Sequence, residues 1–337
     1  MSKEFLHTLF CAGLCILMGC QPVYTDVSKQ LKPKRISLPE AHYSTPAWLD
    51  DDQIAFSVSP QLVSPLPEQR VEIYDLNSGQ LNEIPTPTKS KECLKVWLDG
   101  PLARLPNGNL GVVWGCTLEP IGLKEILFQR DKRSSELRAI PGYPEDFAIG
   151  TYAFSPDMME IIQENAVGPG LNNELYRINK DGTVQRLLAD FQRAKDPAWS
   201  PDGKSIGFWG TEKYPGGQIS EWSQIEDLAR YPWDLYLMDA DGKNLRVVLP
   251  KIREAGLLKW SPEGRWLAFN GVYQGAIGMW ILDTQNGKMT RVWQNIGPFD
   301  WSPDGKRMVI LTREDSKELQ NLFPVLVDLP EKIFKAQ

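Results

Sequence analysis

The chain has 337 residues, 42% of them hydrophobic and 24% charged, with a formal net charge of −6 at pH 7. That is the balance of a globular chain in water, and the surplus of acid argues against the phosphate backbone of a nucleic acid as partner. Only two histidines and five cysteines occur, which leaves little material for a histidine-built metal centre or a Ser-His-Asp triad.

At the N-terminus, Lys3 precedes an apolar run from Phe5 to Met18, short for a membrane span. The run ends in Leu17-Met18-Gly19-Cys20, and small residues before a cysteine resemble the lipobox of bacterial lipoproteins. That resemblance implies removal of residues 1–19 as a signal peptide and acylation of Cys20. An ordinary signal peptide or an uncleaved anchor is the alternative. By the same resemblance, Gln21 in place of an aspartate after the cysteine points to the outer rather than the inner membrane. Residues 20–33 are polar with few apolar anchors and are expected to form a tether, with the folded domain over 34–337. Lys34-Arg35-Ile36-Ser37-Leu38 before Pro39 is similar to the segments ending in Ile84-Pro85 and Ile140-Pro141. It is expected to close the last sheet alongside residues 323–328, removing an exposed edge.

From residue 46 onward one pattern recurs. Trp199-Ser200-Pro201-Asp202-Gly203-Lys204 returns as Trp260-Ser261-Pro262-Glu263-Gly264-Arg265 and as Trp301-Ser302-Pro303-Asp304-Gly305-Lys306. Phe154-Ser155-Pro156-Asp157 is a worn copy, and residues 48–52 and 105–109 are fainter ones. Serine suits the first position of a type I turn, proline presets φ at the second, and glycine takes the left-handed position that closes a hairpin. A second hairpin follows each turn, as in Asp234-Leu235-Tyr236-Leu237-Met238, the turn Asp241-Gly242, and Leu245 to Leu249. Four short strands per unit, at a spacing of roughly 40–60 residues, are the signature of a β-propeller blade. The units are expected over 46–88, 94–141, 147–190, 196–250, 256–294 and 297–328. These turns, followed by the Leu235-Tyr236-Leu237-Met238-Asp239 type of strand, resemble the WD40-like repeat of TolB-type propellers over nearly the whole mature chain. The resemblance implies an all-β fold, a six-bladed β-propeller of four-stranded antiparallel blades. It implies no single activity, because propellers host binding modules and enzymes alike.

Candidate functional residues are few. Cys93 and Cys116 stand before and at the end of the first hairpin of the second unit, and are expected either to form a disulfide or to stay as two buried thiols. The carboxylates Asp157, Asp181, Asp202, Asp241, Glu263 and Asp304 fall in turns, where turn chemistry accounts for them. Trp48, Trp199, Trp260 and Trp301 repeat at equivalent positions, which argues for packing between units. The residue before each aromatic is Ala47, Ala103, Ala153 or Ala198 in four units, but Lys259 and Asp300 in the last two. Small residues fit where strands crowd an axis, and the Lys259 and Asp300 side chains are expected to pair. The longest departure from the repeat is Thr211 to Trp233, with Tyr214, Trp222, Tyr231 and Trp233. Aromatic loops on a rigid scaffold suit partner recognition. The sequence thus points to a lipid-anchored scaffold of the cell envelope that binds a protein or peptide partner through those four residues, without catalytic residues, cofactor, metal or nucleic acid. The alternatives are an envelope carbohydrate-active hydrolase or lyase, which would bring carboxylates together in a pocket, or a non-catalytic glycan or small-ligand binder.

Overall fold

The structure, a computed structural model, describes residues 24–39, 41–59, 69–84, 93–98, 101–118, 122–130, 137–140, 151–167, 172–188, 191, 193–211, 231–313 and 322–334. Nearly all of the regular structure in these residues is β. The first sheet joins β3 (His42–Trp48), β4 (Gln53–Ser59), β5 (Arg70–Asp75) and β6 (Leu81–Ile84) in that order, all antiparallel. The second holds β7 (Cys93–Leu98), β9 (Leu110–Leu118), β10 (Gly122–Arg130) and β11 (Leu137–Ala139), with the short β8 (Ala103–Arg104) also paired to β9. The third holds β12 (Tyr152–Phe154), β13 (Glu160–Val167), β14 (Asn172–Asn179) and β15 (Val184–Arg186).

The next two units depart from the sequence expectation. β16 (Arg193–Trp199), β17 (Ser205–Thr211), β18 (Trp233–Asp239), β19 (Arg246–Trp260), β20 (Trp266–Tyr273), β21 (Ala276–Asp283) and β22 (Met289–Trp293) form one continuous sheet. The two separate strands expected over 245–249 and from 256 are a single strand of 15 residues, β19. Its first half pairs with β18 up to Ile252, and its second half pairs with β20 from Arg253. Pro250 carries no N–H and reads as a strand end, yet the chain passes it. Lys251 takes a left-handed φ of 60°, and its backbone N–H donates to Asp234 Oδ1 at 2.7 Å. Further left-handed residues at Glu254 and Leu257 accompany the register shifts that turn the strand from one sheet into the other.

The last sheet runs β23 (Phe299–Trp301), β24 (Arg307–Thr312), β25 (Phe323–Asp328) and β2 (Lys34–Arg35). Lys34 lies opposite Leu326 and Arg35 opposite Val325, so the N-terminal segment supplies the outer strand at the C-terminal end of the chain. Residues 24–33, expected to lie in a tether, are instead part of the domain. From Tyr24 the chain is packed on the domain: β1 (Thr25–Asp26) adds in parallel to β22, and Val27 is fully buried.

The inner strands follow one another in a closed circuit, from β3 past β8, β12, β16 and the second half of β19 to β23, which returns to β3. Apolar layers fill the spaces between neighbouring repeat units. One joins Trp209, Phe269 and Trp280; another joins Tyr43, Trp48 and Phe56 to Val309 and Leu311. Burying such large side chains is what offsets the cost of ordering so many short strands.

Candidate binding cavity on the turn face

The Ser-Pro-Asp-Gly turns have the expected chemistry. Ser200 Oγ donates to Asp202 Oδ1 at 2.7 Å, and Ser302 Oγ donates to Asp304 Oδ1 at 2.6 Å. Those aspartates are held below the usual carboxylate range; at Asp202 the Ser200 hydroxyl is the main cause, and at Asp304 desolvation is the largest single influence and raises it, but the Ser302 hydroxyl, the Lys306 N–H and the charges of Arg307 and Lys306 together outweigh it. Gly203, Gly264 and Gly305 sit at φ of 71°, 76° and 69°. Each faces the proline of the preceding turn, since a Cβ on them would lie 3.5 Å from Pro156, 3.4 Å from Pro201 and 3.5 Å from Pro262 respectively. The turns therefore interlock around one end of the molecule.

Within that collar lies a cavity of about 570 Å³. Four tryptophans (Trp48, Trp199, Trp260 and Trp301) line it, with Pro156, Pro201 and Pro262 of the turns and Tyr152 and Phe154 from the third sheet. Ala103, Ala153, Ala198, Lys259 and Asp300, five of the six positions singled out before the aromatics, also reach its wall, so those positions do face a common axis. Arg104 adds an exposed cation.

The tryptophans also tie the sheets together, as their repetition suggested. Trp260 Nε1 donates to the Ala198 carbonyl at 3.1 Å, and Trp301 Nε1 donates to the Lys259 carbonyl at 3.3 Å. Lys259 Nζ donates to Asp300 Oδ1 at 2.8 Å, the pairing expected from sequence. The second oxygen, Asp300 Oδ2, accepts the backbone N–H of Trp48 at 2.7 Å. One carboxylate thus joins β19, β23 and β3, with side-chain exposures of 28% for Lys259 and 13% for Asp300 that leave the pair reachable from the cavity.

A second carboxylate cluster was not foreseen. Asp196 stands two residues before Ala198 in a left-handed conformation, φ 49°. Its backbone N–H donates to Glu164 Oε2 of β13 at 3.2 Å, and Thr151 Oγ1 donates to the same oxygen. Its own carboxylate accepts the backbone N–H of Leu257, and Lys195 Nζ is 3.8 Å away. Burial, opposed by Lys195 and reinforced by Glu164, pushes the Asp196 carboxyl up to about 6. The signal was present in the sequence: Asp196-Pro197-Ala198-Trp199 repeats Thr45-Pro46-Ala47-Trp48, and Thr45 too is left-handed, φ 35°.

The four aromatic residues singled out in the long loop fare differently. Tyr214 and Trp222 lie outside the described residues, as does Cys20. Tyr231 is half-buried. Trp233 is only 8% exposed and belongs to the core with Leu235, Leu249 and Ile252. The Arg193 guanidinium and the Lys195 ammonium cover its ring, 4.1 and 4.6 Å from the centroid, so little of it is left for a partner. Backbone register places Cys93 opposite Leu118 and Cys116 opposite Val96, and their side chains lie outside the described residues. Among the described residues, no group of three or more histidine, cysteine or acidic side chains could hold a metal, and no helix is long and apolar enough to cross a membrane.

No protein-family model matches the chain. The Tol-Pal system protein TolB of Francisella tularensis subsp. mediasiatica is 29% identical over 114 residues, which make up 32% of this chain and 26% of that protein. The chain thus matches only about a quarter of that relative's length. Among solved structures, TolB from Acinetobacter baumannii matches with a TM-score of 0.55 at 17% identity, over 82% of this chain and 63% of that one. An oligogalacturonate lyase in complex with manganese matches with a TM-score of 0.50 at 14% identity, over 93% of this chain and 96% of that one. At such identities the likeness is one of architecture. Repeated turns, a closed circuit of sheets and these likenesses give the chain a β-propeller fold similar to that of TolB.

Proposed function

We propose that the protein is a six-bladed, lipid-anchored propeller of the cell envelope that holds a protein or peptide partner in the cavity on its turn face. β19 counts in two blades, which with the four remaining sheets gives six. Acylation at Cys20 supplies the anchor, on the outer membrane. The observation that carries the binding role is the cavity's lining of tryptophan, proline and other apolar side chains around the Lys259–Asp300 pair and the Arg104 cation. Such a wall suits apolar or aromatic side chains of an inserted peptide, and rigid aromatic surfaces concentrate binding energy. Relatives that are proteins of the Tol-Pal system support an envelope partner. The hydrolase or lyase reading finds less support. The Glu164–Asp196 pair is walled in between sheets and accepts backbone N–H groups, a role in structure rather than reaction.

The test is crosslinking and pull-down from intact envelopes. Ala153→Arg places a long cation in the cavity and is expected to abolish partner recovery while leaving the melting temperature near that of the wild type. A Tyr214→Ala, Trp222→Ala double variant, which probes the long loop, is expected to keep partner recovery. Wild-type recovery by Ala153→Arg would overturn the cavity as the binding site, and loss of recovery in the loop variant alone would move the site to the opposite face.

A further inference from the structure

The N-terminal segment is a strap across the outer edge of two neighbouring sheets, fixed at both ends. At one end β1 pairs with β22, and Tyr24 stacks edge-on against Trp280 at 4.7 Å. At the other end β2 pairs with β25. Between them Val27 is fully buried and Leu31 is partly buried, both in the cluster that holds Trp266, Ile333 and Phe334, and just past β2 Ile36 is 5% exposed. With these apolar side chains turned inward, Lys29, Lys32, Lys34 and Arg35 are left exposed.

Four cations in seven residues are out of character for a chain of net charge −6. Among the described residues, no carboxylate lies within ion-pair distance of Lys29, Lys32 or Lys34. The strap's one carboxylate, Asp26, is engaged by Ser28 and by Arg291. Asp328 and Glu331 lie on the adjacent C-terminal segment beside Lys332, which adds a further exposed cation.

We infer that this basic outer face of the strap lies against the anionic headgroups of a phospholipid membrane. The inference rests on the reading of Cys20 as the acylated residue. From Cys20 to the packed Tyr24 is four residue steps, which span at most about 14 Å of extended chain. A domain held that closely cannot turn its strap far from the surface to which it is anchored. Lysines within about a Debye length of an anionic membrane are drawn to it, and a single basic cluster supplements an acyl anchor in the way a second membrane signal does. The strap therefore sets the tilt of the propeller, with the rim formed by β1, β22 and β25 towards the lipid.

The experiment uses the full chain, expressed with its leader, purified from membranes and reconstituted with vesicles of phosphatidylcholine alone or mixed with phosphatidylglycerol. Amine acetylation read by mass spectrometry reports the accessibility of each lysine. Labelling of Lys29, Lys32 and Lys34 is expected to fall several-fold on the anionic vesicles and to recover at high salt, while Lys180 and Lys204 in other sheets keep their labelling. Flotation with phosphatidylcholine vesicles reads the acyl anchor separately. A chain that floats with them but shows no headgroup-dependent protection overturns the strap while the anchor stands. A chain that floats only with anionic vesicles, its strap protected, supports the strap and overturns the anchor. Flotation with neither overturns both. Protection seen in native envelopes but absent on the vesicles would assign the strap to an acidic protein instead of lipid.

Discussion

Lys259 and Asp300 sit at equivalent positions of neighbouring sheets, and Lys259 Nζ meets Asp300 Oδ1 at 2.8 Å where the other units carry alanine. The same carboxylate also holds the Trp48 N–H at 2.7 Å, so it works at the seam where the last unit meets the first. Removing one partner of a buried pair costs roughly 3–5 kcal/mol, and this pair is partly open to the cavity, so a smaller loss is expected. Lys259→Met should cost about 1–2 kcal/mol in chemical denaturation. Asp300→Ala should cost more, because it strands both a cation and a backbone N–H. Equal costs for the two variants would show that the Trp48 hydrogen bond contributes nothing to closing the ring.

Asp196 gives a pH signature. Its folded-state carboxyl lies near 6, above the 3.8 of an unperturbed aspartate. A raised carboxyl favours the folded state while protonated, so this contribution is complete below about 3.8 and is lost as the pH climbs through about 6. Asp196→Asn keeps an acceptor for Leu257 and tolerates the left-handed backbone. It should raise the melting temperature at pH 8 and leave it nearly unchanged at pH 4, the difference amounting to at most about 3 kcal/mol. A variant that is no more stable at pH 8 than at pH 4, relative to the wild type, would show the ionised carboxylate to be well accommodated.

The interlocked turns predict a cost for adding one methyl group. Gly264→Ala forces a non-glycine residue to φ 76° and brings its Cβ to 3.4 Å from Pro201. A loss of about 1–2 kcal/mol is expected, read by urea denaturation. Gly287, also at positive φ but with open space around it, should cost about the backbone part alone on substitution. Indistinguishable losses would mean that the contact between turns carries no energy.

Trp233 separates core from interface. Trp233→Ala should lose about 3–5 kcal/mol, as large buried aromatic truncations do, and should expose Arg193 and Lys195. If its melting temperature holds while partner recovery drops, the residue returns to the recognition surface first read from its sequence.

What the sequence disclosed was local. The Ser-Pro-Asp-Gly turns, the aromatic before each of them and the alternation at the axis are short-range patterns, and the cavity wall of Ala153, Ala198, Lys259 and Asp300 followed from them. The fused strand did not. Pro250 has the look of a terminator, and only the side chain of Asp234, brought alongside by the hairpin, shows how the chain continues. The tether was misjudged for a similar reason. Val27 and Leu31 are two apolar residues among lysines, too few for a pattern, and they become anchors only because β1 finds a free edge on β22. Asp196 was passed over because an aspartate before a proline is ordinary in loops, and its partner Glu164 is distant in sequence.

A strand shared between two sheets has no boundary at which one of them could come apart alone. Opening the first half of β19 frays the second, so the sheets on either side of Ile252 and Arg253 should exchange their amide hydrogens as one cooperative block. The rest of the circuit is jointed. Among the described residues, the cross-sheet bonds at the sheets of β3 and β12 each involve a side chain, whereas the last sheet is also tied to the double one by the strap. The molecule is therefore a ring with one stiff double segment, and any yielding to an inserted ligand falls to the opposite arc, from the sheet of β3 to the sheet of β12.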